Sequence, residues 1–229
     1  MSLLPRRFEK LKSVLDSRMG DLTILLEDVQ KPHNLSAILR TCDAIGLLEV
    51  HTVCKTNKTH TFNNTAQGSQ KWVKLSDHQT IEGSIKNLKD KGFKLFGTNL
   101  SIKASDYREC TYTGPTAFVL GAEKRGLSKS ATELMDESIY IPMRGMVQSL
   151  YVSVAAATLL FEALRQRELD GKVPTHGEGL EQEKYNQTLF EWAYPEVAEW
   201  CKNEGRKYPK MNSYGEILED LPRTVKFHC

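Results

Sequence analysis

The segment from residue 138 to 160, SIYIPMRGMVQSLYVSVAAATLL, contains a loop whose polar side chains could bind a ligand. Arg144, Gln148 and Ser149 lie in this loop, which follows a short apolar run and precedes a stretch without charge from residue 150 to 161. A helix that is apolar nearly all round is buried in a soluble protein, so we expect the loop to be held between two buried elements. Binding sites are often built in this way, although an ordinary strand-to-helix connection would give the same pattern.

A second group of polar side chains lies in KPHNLSAILRTCDAIGL, which predicts a helix from Asn34 to Ile45. The apolar positions share one face, which is expected to pack on a sheet. Arg40 projects from the opposite face among small residues, where its guanidinium is open to a large ligand. Asn34 is placed to cap the helix through its side-chain oxygen. A surface pair with Asp43, worth about 0.3 kcal/mol, is the alternative explanation for Arg40.

A third segment, VLGAEKRGLS, places Glu123 directly after an apolar strand. Gly121 at the end of that strand allows a ligand to approach the backbone, and open α/β sheets bind ligands at this end of their strands. The segment is not a P-loop, because Leu127 follows the second glycine where a lysine is required, and the chain also lacks G-x-G-x-x-G. Small and polar residues at 97–100 follow another apolar run and form a similar strand end.

The elements that position these segments alternate between strand and helix, which implies a parallel sheet covered on both faces and therefore the α/β class. Residues 55–70 interrupt the pattern, and their length and their Asn, Thr and Gly content predict a functional surface loop. An irregular, basic tail is expected after the last helix. Strands are predicted at residues 22–29, 48–53, 93–98, 117–121 and 139–141, and helices at residues 3–15, 34–45, 80–91, 128–135, 150–161 and 185–192.

Composition is that of a globular protein, and 229 residues with 40% hydrophobic content suffice for a full core. No apolar run approaches the roughly 20 residues needed to span a bilayer, and the amino terminus lacks the apolar core of a secretory signal. We therefore expect a cytoplasmic protein that does not bind membranes. The five cysteines are scattered and none forms a C-x-x-C pair, which predicts reduced, mostly structural thiols.

The net charge is only +2, but the charges are unevenly distributed. Residues 1–20 and 201–229 are basic, whereas residues 162–200 are acidic. If the fold brings the two basic ends together, they can form a phosphate-binding surface. Solvated helix faces would show the same composition.

The three segments together resemble the ordered motifs of a known enzyme family. KPHNLSAILRTCDAIGL, FVLGAEKRGLS and IPMRGMVQSLYVSVAAA are similar to the three motifs of the SpoU/TrmH group of SPOUT RNA methyltransferases. The resemblance continues through the amino-terminal basic helix, AQGSQKWVKL and YPKMNSYGEIL, and covers essentially the whole chain. Within the group, the chain looks most like the members that methylate guanosine 18 of bacterial tRNA.

This resemblance implies an α/β fold with a deep carboxy-terminal trefoil knot, a homodimer, S-adenosylmethionine as methyl donor and no metal. The implied reaction is 2′-O-methylation of the ribose of guanosine 18 in the D-loop of tRNA. Leu100, Ile141, Met143 and Leu150 offer apolar walls for adenine. By position, Asn34, Arg40, Glu123 and Ser149 match residues that the family uses in catalysis, and Thr98, Leu100, Gly121, Ile141 and Leu150 match residues that hold the cofactor.

The resemblance also implies three regions. Residues 1–20 are expected to form a basic, RNA-binding helical extension, and residues 21–168 the methyltransferase domain. Residues 169–229 are expected to form a linker and a second RNA-binding extension that is helical and basic.

One position departs from the family pattern. The family usually has asparagine where this chain has Tyr151, so that SLNVSVA becomes SLYVSVA. Asparagine there can hold a neighbouring motif by hydrogen bonds, whereas tyrosine is larger and carries its hydroxyl farther out. Two alternatives therefore stay open beside an active tRNA methyltransferase: a same-fold RNA-binding protein with weakened catalysis, and 2′-O-methylation of another RNA.

Overall fold

The structure, a computed structural model, describes residues 4–54, 71–99, 103–123, 125–219 and 221. The chain divides into two compact units. Residues 19–173 form one, here called the sheet unit, and residues 1–18 with 174–229 form the other, here called the helical unit. The described parts of the two basic ends, residues 4–18 and 201–219, therefore belong to one compact unit. The functional loop predicted at residues 55–70 lies outside the described residues.

In chain order the strands are β1 (Leu22–Glu27), β2 (Glu49–Val53), β3 (Lys74–His78), β4 (Lys94–Thr98), β5 (Ser105–Asp106), β6 (Thr116–Leu120) and β7 (Glu137–Tyr140). Within the described residues, these seven parallel strands form one sheet, and their order across it is β3-β2-β1-β6-β4-β7-β5. The predicted parallel α/β sheet is thus confirmed. The sequence pattern misses β3, whose residues KLSDH are mostly polar and partly exposed, and β5, which has only two residues.

The helices are α1 (Pro5–Asp16), α2 (Pro32–Ala44), α3 (Ile81–Asp90), α4 (Lys129–Leu134), α5 (Val152–Leu169), α6 (Gln182–Ala193) and α7 (Pro195–Asn203). Side-chain caps and prolines explain where several of them begin. The Thr80 hydroxyl accepts a hydrogen bond from the backbone N–H of Gly83, and the Ser128 hydroxyl accepts one from the backbone N–H of Ala131, at the starts of α3 and α4. Pro195 begins α7 within the tail that the sequence predicts to be irregular, so that expectation is wrong.

Helices cover both faces of the sheet. On one face, α2 and α5 pack on the strands through a cluster that includes Ile38 and Leu159. On the other face, α3 and α4 pack through a second cluster that includes Ile85 and Ala131. Because both faces are covered, the central strands β1 and β6 are buried along their whole length.

The register of the strands brings several carboxyl ends together. Leu26 near the end of β1 pairs with Leu120 at the end of β6, and Thr98 at the end of β4 pairs with Ile139 of β7. The segments that follow these four strands therefore leave the sheet at one edge. This is the edge at which parallel sheets bind ligands.

Helix α5 is longer and less buried than its sequence predicts. The expectation that the whole apolar helix lies inside the protein is wrong for this chain, because Val154 and Phe161 expose 46% and 53% of their surface. These two side chains are about two turns apart and lie on the same helical face. Farther along, Arg167 is fully buried and donates hydrogen bonds to the backbone oxygen of Gly114 and to Asp21. One face of α5 that carries Val154 and Phe161 is thus left uncovered by the residues that the structure describes.

The helical unit has its own apolar and aromatic contacts. Phe190 of α6 stacks on Tyr208, with ring centroids 4.9 Å apart. The Tyr194 hydroxyl donates to the backbone oxygen of Gly215 at 2.7 Å. Gly215 has a φ of 83°, and a side chain there would meet the ring of Phe8. Position 215 therefore requires glycine for two independent reasons.

Two further features concern the described residues as a whole. No helix among them is both long enough and apolar enough to cross a lipid bilayer. Cys42, Cys54, Cys110 and Cys201 are present as free thiols, and Cys42, Cys110 and Cys201 are buried.

Candidate functional site

A cavity of about 390 Å³ lies in the sheet unit where the segments after β4, β6 and β7 meet. Its wall combines apolar side chains with exposed backbone groups and a few polar side chains. Sites for small molecules have this size and this composition. The residues that line it are Thr98, Asn99, Leu120, Gly121, Ala122, Glu123, Arg125, Gly126, Leu127, Thr132, Ile139, Tyr140, Ile141, Met143, Gln148, Ser149, Leu150, Val152 and Ala155.

Most of the sequence-predicted site residues line this one cavity. Four of the five positions predicted to hold a cofactor are among them, as are two of the four predicted for catalysis. Leu100, the fifth cofactor position, lies outside the described residues. Asn34 reaches the cavity through a contact with Glu123, whereas Arg40 is not among the lining residues. The lining set contains Thr98, Gly121, Ile141 and Leu150 of the first group, and Glu123 and Ser149 of the second.

The loop after β6 shapes one wall of the cavity by folding back on itself. Ala122 and Gly126 form an isolated antiparallel bridge, and Gly126 adopts a φ of 63°. A side chain at Gly121 would lie 2.1 Å from the carbonyl carbon of Gly126, so only glycine allows this return. The sequence predicts that Gly121 allows a ligand to approach closely, but in the structure the backbone of Gly126 makes the close approach.

Glu123 is held by two donors from the start of α2. The Asn34 amide donates a hydrogen bond of 2.6 Å to Glu123 Oε1, and the Lys31 ammonium forms an ion pair with Oε2. Lys31, and after it Asn34, lower the pKa of the Glu123 carboxyl because both stabilise its charged form. Asn34 itself is buried, whereas the Lys31 side chain is 55% exposed. The first and second motifs are therefore joined through one carboxylate.

The expected capping role of Asn34 is wrong. Helix α2 begins at Pro32, with Lys31 at the N-cap position and without a side-chain capping bond. Proline is favoured in the first turn because it needs no hydrogen-bond acceptor for its nitrogen. Asn34 therefore lies inside the first turn, where its amide is directed to Glu123 instead of to the backbone.

Arg40 lies on another part of α2. It is exposed, and it follows Asn34 by six residues, which corresponds to roughly 9 Å along the helix axis and roughly 120° around it. The Arg40 and Asn34 side chains therefore leave the helix in different directions. The two polar residues of the first motif do not converge on the cavity within this chain.

Tyr151 occupies the N-cap position of α5. Its side chain makes no capping hydrogen bond and is 71% exposed. Asparagine is among the preferred N-cap residues because its oxygen accepts a hydrogen bond from the first free N–H groups of the helix. Tyr151 thus occupies a position where the asparagine that is usual in the family could cap the helix.

Two polar contacts at this edge of the sheet are not predicted from the sequence. Lys31 has no local signal, because a lysine before a helix is usually a solvated surface residue. Glu27 at the end of β1 is buried, and it accepts a hydrogen bond of 2.8 Å from the backbone N–H of Ser128 at the start of α4. A glutamate that ends an otherwise apolar strand is the signal that could have found the second contact. No group of three metal-ligating side chains occurs in the described part of the chain.

Comparison with known proteins identifies relatives over nearly the whole chain. The model of the SpoU rRNA methylase family matches residues 21–161, and that of the SpoU rRNA methylase carboxy-terminal region matches residues 165–220. The chain is 43% identical over 216 residues to the tRNA (guanosine(18)-2′-O)-methyltransferase of Escherichia coli K12, an alignment that covers 94% of each protein.

Two solved structures show the same fold. The TrmH/SpoU tRNA modifying enzyme of A. aeolicus is 39% identical, with a TM-score of 0.77 over 84% of this chain and 97% of that one. The AdoMet-bound rRNA methyltransferase from Sinorhizobium meliloti is 28% identical, with a TM-score of 0.59 over 66% of this chain and 59% of that one.

Proposed function

Because this chain belongs to the SpoU methylase family, we propose that it transfers a methyl group from S-adenosylmethionine to the ribose 2′-oxygen of guanosine 18 in tRNA. The observation that carries the proposal is the single cavity on which the second and third family motifs converge, with the first motif joined to it through Glu123. The proposed tRNA specificity follows the E. coli relative, whose alignment covers 94% of this chain. A tRNA substrate supports the cytoplasmic location that we propose with this function.

The cavity fits S-adenosylmethionine by its chemistry. Ile141, Met143 and Leu150 supply apolar surface for an adenine ring, and the backbone groups after β4 and β6 supply hydrogen-bonding partners. A volume of about 390 Å³ is within the range of small-molecule sites. When bound, S-adenosylmethionine supplies an electrophilic methyl group on a sulfonium sulfur. Thr98 and Gly121 complete the set of residues proposed to hold it.

The substrate hydroxyl is a weak nucleophile, so the protein must hold it in line with the methyl group and help it to lose its proton. A guanidinium is protonated near neutral pH, and its planar fork binds phosphate with two parallel hydrogen bonds. We therefore assign Arg40 to orienting the hydroxyl and binding the adjacent phosphate, with any base role depending on that phosphate. Ser149 and Glu123, at the cavity wall, are assigned to the substrate side of the reaction.

A homodimer is part of the proposal. Large apolar side chains are exposed in this part of the chain, namely Met146 and Val147 in the loop before α5 and Val154 and Phe161 on α5. Exposed apolar side chains that share a helix face indicate an interaction site, and a second copy of the chain would cover them with an equivalent face. Since Arg40 and the cavity do not converge within one chain, a partner subunit can supply the missing half of the site.

Phe161→Glu tests the homodimer. We expect this variant to sediment as a monomer and to lose methyl transfer while its circular dichroism stays that of the wild type. Tyr214→Glu, at another exposed aromatic residue, is the matched control and should leave the assembly unchanged. A Phe161→Glu monomer with full activity would refute the requirement for two subunits.

A carboxy-terminal trefoil knot is proposed with the fold. Strand β7 lies between β4 and β5, although it follows both in the chain, and α5 then returns to pack on α2. This order supports a chain end that passes through an earlier loop, as the family implies.

The helical unit is proposed to bind RNA. A cavity of about 1140 Å³ in this unit is lined by several cations, among them Lys12, Arg206, Lys207 and Lys210. RNA phosphates release counterions when such side chains bind them, so the affinity depends on salt. Replacing Lys207 and Lys210 by glutamine should lower the slope of log K against log salt by about 1 to 2, if each contacts one phosphate. The exposed Lys86 of α3 serves as the control position, and an unchanged slope in the double variant would contradict this role.

The decisive experiment is methyl transfer from labelled S-adenosylmethionine to tRNA, followed by mapping of the modified ribose. A tRNA with 2′-deoxyguanosine at position 18 is the matched control, because it lacks only the accepting oxygen. Transfer to the first and not to the second supports the proposal. Transfer to ribosomal RNA alone would favour another RNA as substrate, and RNA binding without transfer would favour a protein with lost catalysis. Arg40→Lys keeps the charge and removes the fork, so near-normal turnover of that variant would refute the assignment of Arg40.

A further inference from the structure

Lys31 has no role in the function proposed above, yet its ammonium forms an ion pair with Glu123 of the cavity wall. Its ammonium pairs with Glu123 Oε2, while the Asn34 amide binds the other oxygen of the same carboxylate at 2.6 Å. Both carboxylate oxygens are thus occupied by side chains from the start of α2. The Glu123 side chain is 21% exposed and lines the cavity.

An exposed ion pair of this kind has little value for stability. Exposed lysine–carboxylate pairs contribute little to folding, because water solvates the separated charges well. The pair does, however, tie Glu123 to a helix, and Glu123 belongs to a loop that folds back at the cavity wall. Its effect is therefore expected on the position of the carboxylate and not on the stability of the fold.

We propose that Lys31 is a positioning residue, which together with Asn34 fixes the Glu123 carboxylate at the wall of the cavity for methyl transfer. The proposal rests on the proposed function, since Glu123 is assigned to the substrate side of that reaction. Lys31 acts through Glu123 and does not need to touch the cofactor or the ribose. An alternative use, direct binding of an RNA phosphate by the Lys31 ammonium, is a separate outcome of the test below.

The test compares Lys31→Gln, Lys31→Arg and Glu123→Gln with a matched control. Lys129→Gln removes another exposed lysine, which is 3.7 Å from Glu133 in α4. We expect Lys31→Gln to lower kcat for methyl transfer about tenfold, the scale of coupling within one hydrogen-bonded network. Lys31→Arg should restore most of the rate, and Lys129→Gln should behave as the wild type.

The double variant Lys31→Gln/Glu123→Gln separates positioning from phosphate binding. If Lys31 acts through Glu123, the double variant is no slower than Glu123→Gln alone. If Lys31 binds RNA itself, the two losses add and the affinity for tRNA falls together with the rate, which would overturn the proposal. An unchanged kcat in Lys31→Gln would overturn it as well.

A readout without substrate keeps this result distinct from the proposed function. The Glu123 carboxyl can be titrated by carbon NMR in the free protein, where Lys31 and then Asn34 lower its pKa. Lys31→Gln should raise that pKa toward its ordinary value, and the acid limb of the pH–rate profile should move to higher pH in parallel. If the carboxyl titrates identically in both proteins, positioning by Lys31 is refuted, whether or not methyl transfer is the reaction.

Discussion

Replacing Tyr151 by asparagine should stabilise the protein, because this residue holds the N-cap position of α5 without capping it. The first N–H groups of a helix have no partner within the helix, and an N-cap asparagine satisfies one of them. Asparagine at an N-cap is worth about 1 kcal/mol relative to alanine. The tyrosine ring is 71% exposed, so removing it sacrifices little packing within the chain.

The magnitude is best measured as the difference between two variants that both lack the ring. For a domain of 150–250 residues, 1 kcal/mol corresponds to about 2–4 °C in the melting temperature. We therefore expect Tyr151→Asn to melt about 2–4 °C above Tyr151→Ala in scanning calorimetry. Equal melting temperatures for the two variants would show that position 151 does not act as an N-cap, and the reasoning would fail.

When Tyr151→Asn is compared with the wild type, a change in the association of two chains adds to the effect of the cap. Tyr151 adjoins the apolar face of α5 that is proposed to be covered in a dimer, so the ring would also contribute to association. A gain from the cap is independent of protein concentration, whereas a loss of association grows on dilution. Melting at two concentrations separates them. A methyl-transfer rate that does not rise in Tyr151→Asn would show that the site already accommodates the ring.

Two further predictions concern packing and pH. Gly121→Ala should lower the free energy of unfolding by about 1–3 kcal/mol in urea titrations, because its methyl group would overlap the Gly126 carbonyl. The same variant should also weaken cofactor binding. Gly114→Ala is the control, since a carbon added there meets no described atom within 4 Å. Burial lowers the pKa of His51, whose Nδ1 lies 2.9 Å from Nε2 of His78, to about 4. The contribution of neutral His51 to the free energy of unfolding is therefore fully present above pH 6.5. It is lost as the pH falls from 6.5 toward 4, by about 1.4 kcal/mol for each pH unit. His51→Phe should flatten that dependence in urea titrations at pH 7 and pH 5, and an equal slope would contradict the assignment.

The parts of the fold that follow a simple period are predictable from the sequence. Helix α2 is amphipathic and strand β6 is continuously apolar, because one packs a single face on the sheet and the other is buried on both sides. Strand β3 is not predictable, because an edge strand pairs through its backbone and tolerates polar side chains. The exposed face of α5 is not predictable either, since an apolar residue is equally suited to the chain's own core and to that of a partner.

The site shows the same division between local and distant information. The strand-end positions Thr98 and Gly121 can be anticipated, because parallel strands place their carboxyl ends at one edge of the sheet. The contact between Asn34 and Glu123 joins residues 89 positions apart in the chain, and no spacing rule connects them. From local sequence alone, Asn34 is therefore assigned to the nearest backbone, which the structure shows to be wrong.

The sequence predicts Gly121 as a position where a ligand approaches the backbone, and the structure gives a further reason for glycine there. A glycine at a strand end allows close approach, and the sequence cannot say of what. Here the approaching group is the backbone of Gly126, which leaves 2.1 Å for a side-chain carbon that would need far more. Because this return of the loop builds the cavity wall and carries Glu123, one methyl group at position 121 must disturb three things together: the fold of the loop, the walls around the cofactor, and the carboxylate that Lys31 and Asn34 hold.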